Sequence, residues 1–85
     1  MIKLEEKKNR QNCELTVFMK YGYELVIPST YEVLDILRKN ILWHINSKEK
    51  EFYHIDISGF DSIIRLTEVV AMTIDLDDEI KHLVR

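Results

Sequence analysis

The 85-residue sequence contains few of the residues that reinforce small proteins or route them out of the cell. Its one cysteine, Cys13, cannot form an internal disulfide, which is typical of a protein in a reducing compartment. It has no run of 18 apolar residues, and the start MIKLEEKKNR lacks the apolar core of a signal peptide. We therefore expect a cytoplasmic protein that neither spans a membrane nor is secreted.

Glycine, alanine and clustered positive charge are also scarce. Two glycines and no GxxxxGK or GxGxxG pattern exclude the usual phosphate-binding loops. The net charge of -3 comes from 12 basic and 15 acidic residues that are interspersed, so nucleic acid is a disfavoured partner. One alanine stands against eleven isoleucines and eight lysines, a bias expected of an AT-rich genome such as that of a low-GC bacterium, a phage or a plasmid.

Alternating apolar residues predict a first β-hairpin over residues 13 to 27. Apolar side chains recur at every second position from Cys13 to Tyr21 and again from Tyr23 to Ile27. Gly22 interrupts the pattern and favours a turn near Tyr21 and Gly22. Residues 1 to 12 are compatible with a frayed helix, a hairpin arm or a tail, and the pattern does not choose between them.

A helix is predicted to follow Pro28. Ser29 and Glu32 have the spacing of a capping box, and Asn46 favours an end near that position. The apolar stripe that should face the sheet consists of Val33, Leu34, Leu37, Ile41 and Ile45. Ile36 and Trp43 lie together outside this stripe and form a second, smaller apolar patch.

The next segment predicts a second hairpin and a divided strand. A strand from Phe52 leads through a turn at Ser58 to Asp61 into residues 62 to 75, whose core row is Ile64, Leu66, Val70, Met72 and Ile74. Glu68 interrupts that row, which indicates a bulge or short turn at Thr67 and Glu68 between strands near 62 to 66 and 69 to 74. A short helix is predicted from Asp75, with Leu76, Ile80, Leu83 and Val84 on its apolar side.

Together these elements predict one α+β domain over residues 1–85, in the order β-β-α-β-β-α. We expect an antiparallel sheet of four strands, or five if Thr67 and Glu68 divide the last one. One main helix covers a face of this sheet, and a short C-terminal helix follows. Residues 1–12 are frayed or form an extra arm. Whether the sheet is open or curls toward a barrel is not decided by the pattern.

The chemically capable side chains do not form a recognisable catalytic or metal-binding set. His54 and Asp56 share one face of a predicted strand, but no further ligands complete a zinc site around them. His44 falls in the apolar arc of the helix, His82 lies near the C-terminus, and Cys13 is in register with core residues. We therefore predict no catalytic residue, no metal and no cofactor, and no motif identifies a family.

Apolar residues on the side of the sheet that should face away from the helix carry the functional prediction. The hypothetical protein interface consists of Phe18, Val26, Phe52, Ile63 and Val69, with Ile36 and Trp43 as a second surface. The terminal segments, a second copy in a homodimer, or another protein are the candidate covers.

The resulting hypothesis is a small non-enzymatic interaction or regulatory module, of the kind that a phage or mobile element uses to bind or inhibit a host protein. The alternative is a module that binds single-stranded nucleic acid on the outer sheet face. In that case Phe18 and Phe52 would stack on bases while Lys20 and Arg65 contact phosphates.

Overall fold

The computed structural model of the protein describes residues 13–57 and 59–76, with only the backbone of Leu76. Its strands are β1 (Cys13–Met19), β2 (Glu24–Ser29), β3 (Phe52–Ile57), β4 (Phe60–Arg65) and β5 (Val69–Leu76), and its helix is α1 (Tyr31–Ser47). Because β5 continues through Leu76, the predicted helix start at Asp75 is wrong. The rest of that predicted helix, with His82, and the predicted arm at residues 1–12 lie outside the described residues.

The strands form two antiparallel sheets rather than the single sheet predicted from the sequence. One has three strands in the order β2-β1-β5, and the other is the β3-β4 hairpin. The α+β class, the antiparallel pairing and the single main helix are confirmed. A single sheet does not form because a 3-10 turn at Leu66–Glu68 ends β4, after which β5 pairs with β1.

The same 3-10 turn confirms the predicted division at Thr67 and Glu68, but it changes which residues face inward. Val69 pairs with Met19 and packs against the core, whereas the next pair joins Phe18 to Ala71. Val70 is the extra residue of this β-bulge, and 65% of its surface is exposed. The predictions that Val70 is a core residue and that Val69 faces outward are therefore wrong.

The first hairpin forms as predicted, with its turn at Lys20–Gly22. The amide of Met19 donates to the carbonyl of Tyr23 at 2.8 Å, and Tyr21 and Gly22 both have positive φ, 67° and 82°. Pro28 lies in β2, which has a partner strand on one side only among the described residues. An edge position tolerates a residue that cannot donate a ladder hydrogen bond.

The N-cap of helix α1 is Thr30, one residue after the predicted cap at Ser29. The side chain of Thr30 accepts a hydrogen bond from the amide of Val33 at 3.2 Å, while Ser29 belongs to β2 and pairs with Cys13. The cap at Ser29 is therefore wrong, because the strand extends to that residue. The helix ends at Ser47, and Lys48, with φ 58°, closes it through a hydrogen bond from its amide to the carbonyl of His44.

One hydrophobic core joins both sheets to the helix. The three-stranded sheet contributes the inner face of β1 and Ile27, the helix contributes Leu34, Leu37 and Ile41, and the hairpin contributes Ile55 and Ile64. Leu66 of the 3-10 turn is buried in the same cluster. Within the described part of the chain, no helix combines the length and apolar character needed to cross a membrane.

Candidate functional site

The outer face of the β3-β4 hairpin brings together the histidine and carboxylates that could support catalysis. A ring nitrogen of His54 lies 2.6 Å from the carboxylate of Asp61 on the opposite strand of the hairpin. The partner of His54 is therefore Asp61 and not Asp56, the residue predicted beside it. Asp56 is on the same face, directly opposite Asp61. The sequence pattern missed Asp61 because its contact with His54 depends on the cross-strand register.

This His54–Asp61 pair lies in an open setting. Both side chains are more than half exposed, so water solvates the groups that a catalytic site would hold in a closed environment. No three side chains among the described histidines, cysteines, aspartates and glutamates are arranged to hold a metal ion. The pair is best explained as an exposed cross-strand hydrogen bond of the hairpin surface.

Arg65, the basic residue of the predicted nucleic-acid surface, lies over the ring of Phe52. Its guanidinium carbon is 5.2 Å from the ring centroid, within the range of a cation–π interaction. Carboxylates of Glu51 and Glu68 lie 3.5 and 3.9 Å from its nitrogens. The positive charge of Arg65 is therefore matched locally by protein carboxylates.

The five residues that were predicted to share one outer sheet face lie in three places. Phe18 and Val26 are on the outer face of the three-stranded sheet, where Phe18 is half-buried. Phe52 and Ile63 are exposed on the outer face of the hairpin, and Ile36 and Trp43 are exposed on the helix. Val69 is partly buried and packs against the core. Lys20 lies exposed in the first turn, so Lys20 and Phe18 belong to a different sheet from Phe52 and Arg65.

One flank of helix α1 presents an apolar strip to solvent. We call it the tryptophan flank, and it comprises Val33, Ile36, Asn40 and Trp43, which follow one another at spacings of three or four residues. Val33 is 38% exposed, so the prediction that it belongs to the stripe facing the sheet is wrong. Ile36 is 55% exposed and Trp43 58%. Ring contacts connect the Trp43 end of the tryptophan flank to β3. Trp43 meets His44 edge to face, with 5.0 Å between ring centroids, and His44 lies 5.2 Å from Tyr53 of β3.

A second apolar feature, the β5 groove, lies between the opposite flank of the helix and strand β5. Its volume is about 390 Å³, and its walls are Arg38, Lys39, Leu42, Ile45 and the first four residues of β5. Leu42 is half exposed there. The sequence pattern does not predict this groove, because Leu42 falls outside the predicted helix stripe and the bulge that exposes Val70 arises from the pairing of β5 with β1.

The rim of the β5 groove carries a net positive charge. The carboxylate of Asp35 contacts Arg38 at 2.5 Å and Lys39 at 2.9 Å. The hydrogen bond from Lys39, followed by that from Arg38, lowers the pKa of Asp35 below its ordinary value. Two cations share one carboxylate, and so one positive charge remains unmatched within this group.

A wider cleft, about 770 Å³, lies where the end of the helix meets the 3-10 turn. It is lined by His44, Ile45, Leu66, Thr67 and the alternating charges of residues 48–51. The Nδ1 atom of His44 is buried and has no hydrogen-bond partner among the described residues. Among these lining residues, no hydroxyl group is hydrogen-bonded to the imidazole of His44 within the described part of the chain.

The described side chains thus offer exposed apolar surface on both flanks of the helix and on the hairpin, together with ion pairs that are open to water. No family model matches the chain, and comparisons with curated proteins and with solved structures also find no match.

Proposed function

We propose that the protein is a small non-enzymatic interaction module that binds another protein through the tryptophan flank. The observation that carries this proposal is that Ile36 and Trp43, both more than half exposed, lie on one flank of the helix about two turns apart. Tryptophan is enriched among the few residues that dominate the free energy of protein interfaces, and burying one removes on the order of 200 Å² from water.

The packing around Trp43 supports this proposal. An anchor residue contributes most when its orientation is fixed before binding, since less side-chain entropy is then lost. The contacts from Trp43 to His44 and from His44 to Tyr53 tie the indole to β3. Asn40 lies within the strip and Glu32 beside it, and both are exposed polar residues that suit the solvated rim of an interface.

Two features support a non-enzymatic role. The His54–Asp61 pair is open to water, and the cleft at the end of the helix lacks paired catalytic groups. The AT-rich residue bias is compatible with a phage or plasmid source, in which case the partner would be a protein of the host. Regulation or inhibition of that partner is part of the proposal.

A photo-cross-linking amino acid at Asn40 tests the surface directly, with lysate of the encoding organism as the source of partners. We expect a discrete cross-linked product that disappears when Trp43→Ala is added and persists with Ile63→Ala, an equally simple truncation on the hairpin. The cross-linker at Glu24, exposed on the three-stranded sheet, serves as the positional control. Equal products from positions 40 and 24, or a product that survives Trp43→Ala, would exclude the tryptophan flank.

Single-stranded nucleic acid is the second candidate, because Phe52 and Arg65 form a cation–π pair on an exposed sheet face. Glu51 and Glu68 beside Arg65, with Asp56 and Asp61 on the same hairpin face, weaken it because carboxylates repel phosphates. Titration of a fluorescent oligonucleotide at about 50 and 200 mM salt distinguishes nucleic-acid binding from protein binding. Binding that weakens with salt and with Arg65→Ala would favour nucleic acid over protein.

A further inference from the structure

We propose that residues 1–12 of the same chain pack across the outer face of the three-stranded sheet, the face opposite helix α1. The charged side chains on that face are all carboxylates. Basic side chains of the segment would neutralise them, and its apolar side chains would cover the centre of the face. This surface is separate from the tryptophan flank, so the proposal does not depend on the proposed function.

The first argument is the apolar centre of the outer face. The strand register places nine residues on it in three rows, which are Pro28, Glu14 and Asp75, then Val26, Thr16 and Thr73, then Glu24, Phe18 and Ala71. Val26 is 43% exposed, and its neighbour Phe18 is half-buried. A sheet face that stays open to water is normally polar, so these adjacent apolar side chains favour a covering segment.

The second argument is the unbalanced charge of the same face. Glu14 and Asp75 lie directly opposite each other, and like charges in that arrangement destabilise a sheet. Glu24 is the third carboxylate of the face. The three strands contain no lysine or arginine, and none of the ion pairs between described residues includes any of these carboxylates. The face therefore complements a segment with net positive charge.

The third argument is that one of the available segments has this charge. Residues 1–12, MIKLEEKKNRQN, carry four basic and two acidic side chains, which gives a net charge of +2. Residues 77–85, DDEIKHLVR, begin with three acidic side chains and have two basic ones, which gives -1 with His82 neutral. A second copy of the chain carries -3. Charge complementarity thus selects residues 1–12 among these three occupants.

The fourth argument is the position and length of the segment. It enters β1 at Cys13, which directly precedes Glu14, and its nearest basic residues are Lys7, Lys8 and Arg10. The nine residues from Leu4 to Cys13 span about 13 Å as a helix and about 30 Å when extended. The distance along β1 from Glu14 to Phe18 is about 13 Å. The segment can therefore place cations beside the carboxylates and still bring Leu4 to the apolar centre.

Photo-cross-linking within the full chain tests where the segment lies. A photoreactive amino acid at Val26 faces outward from the sheet, and one at Leu42, half exposed on the helix, is the control on the opposite side of the sheet. We expect position 26, but not position 42, to cross-link to residues 1–12 of the same molecule. An equal mixture of isotope-labelled and unlabelled chains identifies such products by mass spectrometry.

Three results of this experiment would overturn the proposal. The first is a product from position 26 that joins two molecules, and the second is a product that contains residues 77–85 instead of residues 1–12. The third is a yield of cross-links to residues 1–12 that is no higher from position 26 than from position 42.

A matched pair of charge reversals tests the electrostatic part of the proposal. Lys8→Glu reverses a charge in the segment, and Lys50→Glu makes the same change at an exposed position after the helix. We expect Lys8→Glu to lower the yield of the cross-link from position 26 at least about threefold, and Lys50→Glu to leave it unchanged. Salt at about 1 M should also lower the yield, because it screens exposed charges. Equal yields from the two variants would contradict charge complementarity as the basis of packing.

Discussion

At the scale of the residue, the informative positions are those whose local conformation or charge departs from the ordinary. Tyr21 has a left-handed backbone at φ 67°, which side chains with a Cβ adopt at a cost, and its ring is exposed. Asp35 holds two cations on the helix surface. Tyr21 and Asp35 both lie outside the core. The change in unfolding free energy on substituting either residue therefore reports on its local conformation or ion pairs and not on core packing.

Replacement of Tyr21 by asparagine should stabilise the protein by about 0.5 to 1 kcal/mol, because asparagine tolerates the left-handed region better.

Replacement of Gly22 by alanine should instead destabilise the protein. An added Cβ at Gly22 meets no atom within 4 Å, so its cost is that of the backbone at φ 82°, and we expect a loss of about 1 kcal/mol. Urea unfolding of both variants measures these changes. Opposite signs to those expected would contradict the described turn.

Replacement of Asp35 by asparagine should cost about 0.5 to 1 kcal/mol at neutral pH, the sum expected for two helix-surface pairs. The fold lowers the pKa of this carboxyl, so its contribution is fully present above the ordinary value of 3.8 and is lost as the pH falls through the lowered pKa. The unfolding free energies of the wild type and the variant should therefore converge once the pH is below the lowered pKa of Asp35. A difference that grows on acidification would show that the pairs do not stabilise the helix.

At the scale of the element, the sequence pattern predicts what depends on local chemistry. Alternation identified both hairpins, and Glu68 marked the division before β5. The apolar stripe identified Leu34, Leu37, Ile41 and Ile45 on the inner face of α1, whereas its fifth member, Val33, is exposed. The strand partners were not predictable in this way. Pairing of β5 with β1 depends on a long-range contact, and the bulge at Val70 follows from that pairing, so no local pattern distinguishes the outward Val70 from the inward Val69.

The exposed surfaces also depend partly on long-range contacts that a local sequence pattern does not show. The exposure of Ile36 and Trp43 followed from their place on the helical wheel, and the structure places them there. The contact between His54 and Asp61 requires the hairpin register, which the sequence pattern alone did not supply. The β5 groove requires both the helix position and the bulge.

The hairpin β3-β4 should depend on the shared core for its stability, although its strands do not pair with the other sheet. Ile55 is fully buried, and truncation to alanine should cost about 2 to 5 kcal/mol, a large part of the stability of a domain of this size. Ile63, on the opposite face of the same hairpin, should lose less than about 0.5 kcal/mol on the same truncation. Chemical denaturation compares the two. Similar losses would contradict the assignment of inner and outer faces.

At the scale of the whole molecule, the helix separates two surfaces. Its buried stripe packs on the sheets, one exposed flank carries Trp43, and the other flank overhangs the edge of β5.

Fluorine NMR of Trp43, the one tryptophan in the sequence, tests the central claim of partner binding most directly. The full chain labelled with 5-fluorotryptophan is compared in buffer and in lysate of the encoding organism. We predict that the resonance shifts or broadens in lysate, that excess unlabelled wild type restores it, and that unlabelled Trp43→Ala does not. An unchanged resonance, or equal competition by Trp43→Ala, would contradict binding through the tryptophan flank.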